Sequence, residues 1–367
     1  MIQQTIHFVL IGVVTGSVCY SQPRFQTVGA TQGSNHISHA LGVSGNGSVV
    51  VGIESPFGAF EPFKWTSSEG RIRLPTKLGG NDYTPYGLSN SGSVVIGTFD
   101  APTGGPVGFL WSEQMGSVSI GSLPGGKSTS ILIDVRDDGM AVGSSSFALT
   151  STGSSLNRAI KWTPQGGLEA LPLPNESDLE FGSRATAILD DGRIFGQSVT
   201  GAWFYSEQDN SFEILEGAQN MSYASPDGSF LSGSIPTPSP TAAYWTRETG
   251  PVLLPLLDPN MSFGMVRGMS DDGAVIVGTQ LTTPVVWLDQ GDPIPLNDLA
   301  AELEVDLAGW NIVDVFGVSA DGSTIVGTAV NTNTSFVEGF VLTIPTPASL
   351  ALPGLAVLAL GRRRRRQ

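Results

Sequence analysis

Three pairs of adjacent carboxylates, Asp137-Asp138, Asp190-Asp191 and Asp271-Asp272, are the residues of this chain best suited to chemistry. Two carboxyl groups facing each other across a cleft can cleave a glycosidic bond. Clustered carboxylates can also hold Ca2+. Adjacent residues on a strand point to opposite faces, however, which suits a shared proton site poorly. Each pair is followed directly by Gly, the pattern of a solvated hairpin turn, and no Asp-x-Asp-x-Asp-Gly calcium loop occurs. The histidines are His7, His36 and His39, and His36-x-x-His39 lacks a third ligand nearby. The one cysteine, Cys19, lies in an N-terminal apolar stretch, so neither a disulfide nor thiol chemistry is expected of the mature chain. Serines beside Gly sit in hairpins, not between a strand and a helix, which excludes a nucleophile elbow. No catalytic, cofactor-binding or metal-binding residue is expected, and no cofactor.

The elements that would position these groups repeat along the chain. A turn ending in Gly, then an apolar stretch and a second Gly, recurs at Ser44–Gly52, Ser89–Gly97, Arg136–Gly143, Leu189–Gly196, Ser225–Gly233, Ser270–Gly278 and Ser319–Gly327. The turn glycines are Gly47, Gly92, Gly139, Gly192, Gly228, Gly273 and Gly322, spaced by 45, 47, 53, 36, 45 and 49 residues. An aromatic residue follows each: Trp65, Trp111, Trp162, Trp203, Trp245, Trp287 and Phe340. A period in the 40s built from strands and turns is the signature of a β-propeller. The expected fold is all-β, a single seven-bladed β-propeller with four-stranded antiparallel blades. The Asn-Gly and Asp-Gly pairs are expected as type I′ hairpins, which need positive φ at both central residues. The second Gly is expected to permit a close approach of sheets or a bulge. The last unit lacks a fourth strand, and Arg24–Ala30 is an orphan, so the N-terminal strand is expected to close the ring. The one short helix is expected within Pro295–Trp310, capped by Asn297 or Asp298 and packed through Ala300, Leu303 and Leu307. As part of an inserted segment that includes Glu302, Glu304 and Asp306, it is expected on one propeller face.

The Ser-x-x-Gly turn, the Val-Val-Gly strand, the aromatic-x-Trp strand (Phe63-Lys64-Trp65, Phe109-Leu110-Trp111) and the Leu-Pro-Gly-Gly loop (Leu123–Gly126) resemble the HAF repeats of bacterial extracellular proteins. That resemblance covers about 300 residues. It implies an extracellular, propeller-like protein and no catalytic residues.

The two ends carry targeting features. Phe8–Val18 is an apolar run of signal-peptide length with cleavage expected before Gln22. The C-terminus reads as a Pro motif (Pro345, Thr346, Pro347), an apolar run from Ala348 to Leu360, and Arg362, Arg363, Arg364, Arg365 and Arg366. The Arg block would stay cytoplasmic and stop transfer. This end resembles the PEP-CTERM sorting signals of Gram-negative bacteria, with Thr346 where that motif has Glu. The resemblance implies an exosortase-like partner, a sorting protease or transpeptidase. The domain plan is a signal peptide over 1–21, a propeller of seven repeats over 22–343 and a sorting or anchor segment over 344–367, attached to the membrane through its helix, if only transiently.

The net charge is −15, and removing the five charges of Arg362–Arg366 leaves −20. Such a surface repels nucleic acid and acidic polymers. Only 14% of residues are charged, with 47 Gly and 24 Pro, which suits short strands joined by turns. The expectation is a non-catalytic secreted or cell-surface protein that binds an extracellular polymer or protein. The alternatives are a polysaccharide-acting hydrolase or lyase using acidic residues, and a structural matrix component. Carboxyl groups facing one another in a pocket would favour the enzyme. Carboxyl groups scattered on turns would count against it.

Overall fold

The computed structural model describes residues 22–345, apart from 30–36, 56–59, 103, 176–179, 237–238 and 261–262. The signal peptide, His36, Thr346, Pro347 and Arg362–Arg366 lie outside the described residues. Repeats two to six each form a separate four-stranded antiparallel sheet, with strands in chain order from the inside out. The innermost strands of these five blades are Asn81–Leu88, Ser130–Val135, Ser183–Ile188, Met221–Ala224 and Gly264–Met269.

The other eight strands make one sheet. It runs Trp310–Val318, Thr324–Asn331, Val337–Thr343, Ile37–Val43, Val49–Ser55, Glu61–Thr66, Gly70–Arg73, so the last repeat continues into the first. The expectation of seven four-stranded blades is thereby corrected: five blades are discrete, and the end repeats share one sheet. Closure by the N-terminal strand is corrected as well. Arg24–Thr27 pairs antiparallel with Val337–Thr343, but it lies off the path that joins the two repeats. That junction is a parallel pair, Ile37 with Val337. The physical reason is that Arg24–Thr27 covers only Phe340–Thr343, so the start of that strand at Val337 keeps an open edge facing the first strand of repeat one, and edge backbone groups pair with whatever strand lies against them.

The repeated turn is tighter than expected. In each copy the turn Gly donates its N–H to the carbonyl three residues earlier, as Gly47 does to Ser44 and Gly273 to Ser270. All seven turn glycines have φ between 68° and 86°, while the Asn, Ser or Asp before each is absent from the left-handed region. This corrects the type I′ assignment. A type I turn followed by one left-handed Gly needs positive φ only at that Gly. Where the turn opens on Ser, its hydroxyl accepts the N–H five residues on, at Ser44, Ser89, Ser225, Ser270 and Ser319.

The second Gly serves a bulge. On every innermost strand the register skips one residue: Leu41, Tyr86, Ile133, Thr186, Ser222, Arg267 and Phe316. Each second Gly pairs with the residue just before that bulge, as Gly52 with Ala40 and Gly278 with Val266. The bulge swings an inner-strand carbonyl towards the Gly. A Cβ there would lie 1.9 Å from His39 O at Gly52 and 2.1 Å from Met265 O at Gly278. At Gly196 the obstacle is the Trp203 ring, 2.2 Å away. The aromatic markers Trp65, Trp111, Trp162, Trp203, Trp245, Trp287 and Phe340 are all buried.

The short helix is Leu296–Glu302, and Pro295 occupies its N-cap position with no side-chain cap. The expected cap by Asn297 or Asp298 is thereby corrected. Asn297 is used elsewhere. Its side chain bonds both backbone groups of Ile312 and so acts as a piece of strand for the last repeat. Ala300 is buried, and Leu303 and Leu307 are half-buried against the same core.

Replacing Gly278 with Ala forces a backbone carbonyl to move, and a cost of about 1–3 kcal/mol is expected for such overpacking. A urea unfolding curve of G278A should show its midpoint lowered accordingly.

Candidate functional site

The seven innermost strands line an axial channel of about 1000 Å³. One end of it is ringed by the Gly turns. Neighbouring repeats are tied there by hydrogen bonds of differing chemistry. Gly45 N donates to Asn90 O at 2.9 Å, Asp190 N to Pro226 O at 2.8 Å, Asp271 N to Ala320 O at 2.8 Å, and Asp321 N to Gly45 O at 3.1 Å. Ser91 Oγ donates to Asp137 Oδ1 at 2.6 Å. Ile188 N donates to Asp134 Oδ2 at 2.7 Å, and the Tyr223 hydroxyl to Arg267 O at 2.6 Å. Every neighbouring pair of repeats is linked, the last to the first included.

The acidic pairs divide their work. The second Asp of each pair accepts a backbone N–H two residues on: Asp138 from Met140, Asp191 from Arg193 and Asp272 from Ala274. These carboxylates belong to their turns, and only Asp138 also reaches the channel. The first Asp of each pair, Asp137, Asp190 and Asp271, lines the channel mouth, with Asp134 deeper in. Partial burial, then the charges of Asp190, Asp272, Asp134 and Asp321, push the Asp271 carboxyl above its ordinary value. Burial also raises Asp134, against the N–H groups of Ile188 and Val135, which favour its charged form. Asp137 goes the other way: partial burial works to raise it, but hydrogen bonds from Ser89, Ser91 and Ser93 outweigh this and lower it.

The bulged residues form a ring inside the channel. A bulge turns one side chain out of the strand's alternation, and here all seven line the lumen. Two of these lining residues also carry a buried polar atom without a hydrogen-bond partner, Thr186 Oγ1 and Arg267 Nε. The Tyr86 hydroxyl also lacks a bond of good geometry, but it faces Leu132 O and Thr98 between two blades. Next to the ring, four repeats have Gly (Gly42, Gly87, Gly268, Gly317) where the others have Asp134, Ala187 and Tyr223. At Gly42 a Cβ would lie 2.9 Å from Tyr86 O, so the inner strands come close there.

Sequence reasoning missed Arg267, Thr186, Tyr223 and Asp134. Their signal was positional: each sits two or three residues before the aligned start of the turn. His39 bonds Thr328 Oγ1 at 2.8 Å, and its pKa is lowered by burial against the charge of Asp314. Among the described residues no group of three or more His, Cys, Asp or Glu side chains is placed to hold a metal ion. No described helix is long and apolar enough to cross a membrane.

Solved structures share this architecture. The oligogalacturonate lyase of Vibrio parahaemolyticus matches with a TM-score of 0.53 and 14% identity, over 90% of this chain and 98% of that one. An oligogalacturonate lyase in complex with manganese matches with a TM-score of 0.53 and 13% identity, over 89% and 97%. The Cps50 (Swd1) β-propeller domain of Myceliophteria thermophila gives a TM-score of 0.50 at 9% identity, over 88% and 99%. The fold is a β-propeller. No protein-family model and no curated protein sequence matches the chain.

Asp134 yields a pH prediction. A folded carboxyl pKa raised above 3.8 means that the native state holds the proton more tightly than the unfolded chain. Its contribution to stability therefore falls as pH rises from below 3.8 through the folded value. D134N keeps a neutral side chain, so its stability relative to wild type should improve over that rise. Urea unfolding at acid and neutral pH checks this. A constant difference contradicts it.

Proposed function

We propose that this propeller is a polysaccharide-acting enzyme of the cell exterior, cleaving a glycosidic bond with carboxyl groups at the channel mouth. The observation that carries this reading is the convergence of Asp190 and Asp271, with Asp134 behind them, on one end of the channel. A carboxyl raised by neighbouring charges favours its protonated, donating form, and a second carboxylate beside it offers an acceptor. In hydrolysis Asp271 protonates the glycosidic oxygen as the C–O bond breaks, and Asp190 takes a proton from the attacking water. In β-elimination Asp190 removes the proton beside the sugar carboxyl, a C=C bond forms, the neighbouring C–O bond breaks, and Asp271 returns a proton to the leaving oxygen. The fold likeness to two oligogalacturonate lyases favours elimination and a uronate-containing oligosaccharide. The strongly negative body disfavours a long polyanion, which points to short chains or chain ends.

A second reading, a non-catalytic propeller that binds an extracellular polymer or protein, is favoured by one observation. Asp190 and Asp271 are exposed, and both donate their backbone N–H into the ring of inter-repeat bonds, a structural duty sufficient to place them there. Export through the N-terminal 21 residues and sorting by an exosortase-like enzyme at 344–367 complete the proposal.

Purified protein given oligogalacturonate and neutral oligosaccharides separates these readings. An unsaturated product marks elimination, and a saturated reducing end alone marks hydrolysis. D271N should lower kcat/KM about 10²-fold or more with an unchanged urea midpoint. Binding without any cleavage would leave the non-catalytic reading. For sorting, deleting Pro345–Gln367 should release the protein into the medium, and unchanged localisation would refute the role of the tail.

A further inference from the structure

The bulge ring contains chemistry that the rim carboxyls do not use. Its residues differ from repeat to repeat while their backbone setting stays constant, the arrangement of a scaffold that presents variable side chains. The ring is also two-sided. Phe316, Leu41, Tyr86 and Ile133 give a largely apolar arc, with the Tyr86 hydroxyl turned between two blades, and Thr186, Ser222 and Arg267, from consecutive repeats, give a polar one. Thr186 is 5% exposed and its Oγ1 has no partner, and Arg267 Nε is likewise buried and unpartnered. A buried donor left without an acceptor is destabilising. Both residues line one lumen, with Ser222 on the repeat between them, and an incoming acceptor would be held there.

We propose that the polar arc is a binding subsite for a single carboxylate-bearing sugar residue, with Arg267 on the carboxylate and Thr186 and Ser222 on hydroxyl groups. Arg267 lines the same channel as Asp134, Asp190 and Asp271, whose charges disfavour a phosphate dianion more than a monoanionic carboxylate. A pyranose ring has an apolar face and hydroxyl edges, so it matches an apolar arc set opposite a polar one. Arg267 offers Nε and Nη as a fork, the geometry for bidentate capture of a carboxylate. The subsite names the substrate class for the proposed enzyme and rests on that reading for its purpose. Its residues are distinct from Asp190 and Asp271, so binding and cleavage can fail separately.

The test is calorimetric titration of the whole protein with galacturonate, galactose and inorganic phosphate, without turnover. Wild type should bind galacturonate at least tenfold more tightly than either of the others. R267A should lose that preference, R267K should keep part of it, and T186V should weaken galacturonate several-fold with its urea midpoint intact. If R267A is poorly folded, R267K and T186V carry the test. Equal affinity for galactose overturns the carboxylate assignment, and equal or tighter binding of phosphate overturns the choice of anion. Unaltered galacturonate binding by R267K and T186V removes the subsite. The same pattern of galacturonate binding in a protein that cleaves no oligosaccharide would support the subsite independently of the enzymatic reading.

Discussion

A strand that lines an axis is an edge strand, and its outward backbone groups have no partner in their own sheet. That constraint shapes the centre of this propeller. Each innermost strand carries a bulge, and bulges end the regular pairing that would otherwise invite a further strand. Neighbouring repeats then satisfy some of the freed groups across the gap, sometimes through backbone carbonyls, as at Asp190 and Pro226, and sometimes through side chains, as at Asp134 and Ile188. Asp134 shows the compromise. Its carboxylate supplies an acceptor for an edge N–H, and burial makes the charged form costly, so its proton affinity rises.

The same bulge builds the lumen. One residue per inner strand leaves the alternating pattern and lines the channel, and a Gly on the second strand makes room for the displaced carbonyl. Scaffold and recognition are thus separated within one strand. The residues flanking the bulge pack between blades, as Leu132 and Val266 do, and the bulged residue can change without disturbing them. The turn carboxylates obey a similar division. The Asp next to Gly serves its own turn, and the Asp before it is left for the channel mouth, where the charge of Asp190 makes that of Asp271 more costly.

Much of the scaffold was legible in the chain. The period, the turn Gly and the aromatic markers identify a propeller, because local turn geometry needs a left-handed residue at one place in every copy. The second Gly was legible as a close approach or a bulge. Its partner, a carbonyl of the inner strand, emerged only when the register placed Gly278 opposite Val266. The number of separate blades was not legible, since the first and last repeats look like the others until Ile37 lies beside Val337. Asn297 had the residue type of a helix cap, and only the fold placed it against Ile312.

By itself the sequence determined the repeat unit: strand, tight turn, strand, and the Gly and aromatic positions that make it pack. These depend on φ preferences and side-chain volume, which act over a few residues. Only the tertiary structure decided that Asp134, Asp190, Asp271, Thr186 and Arg267 share one channel. They are separated by up to three repeats along the chain, and no local pattern relates them. Their proximity comes from arranging the repeats around an axis, a long-range property set by the packing of one sheet on the next.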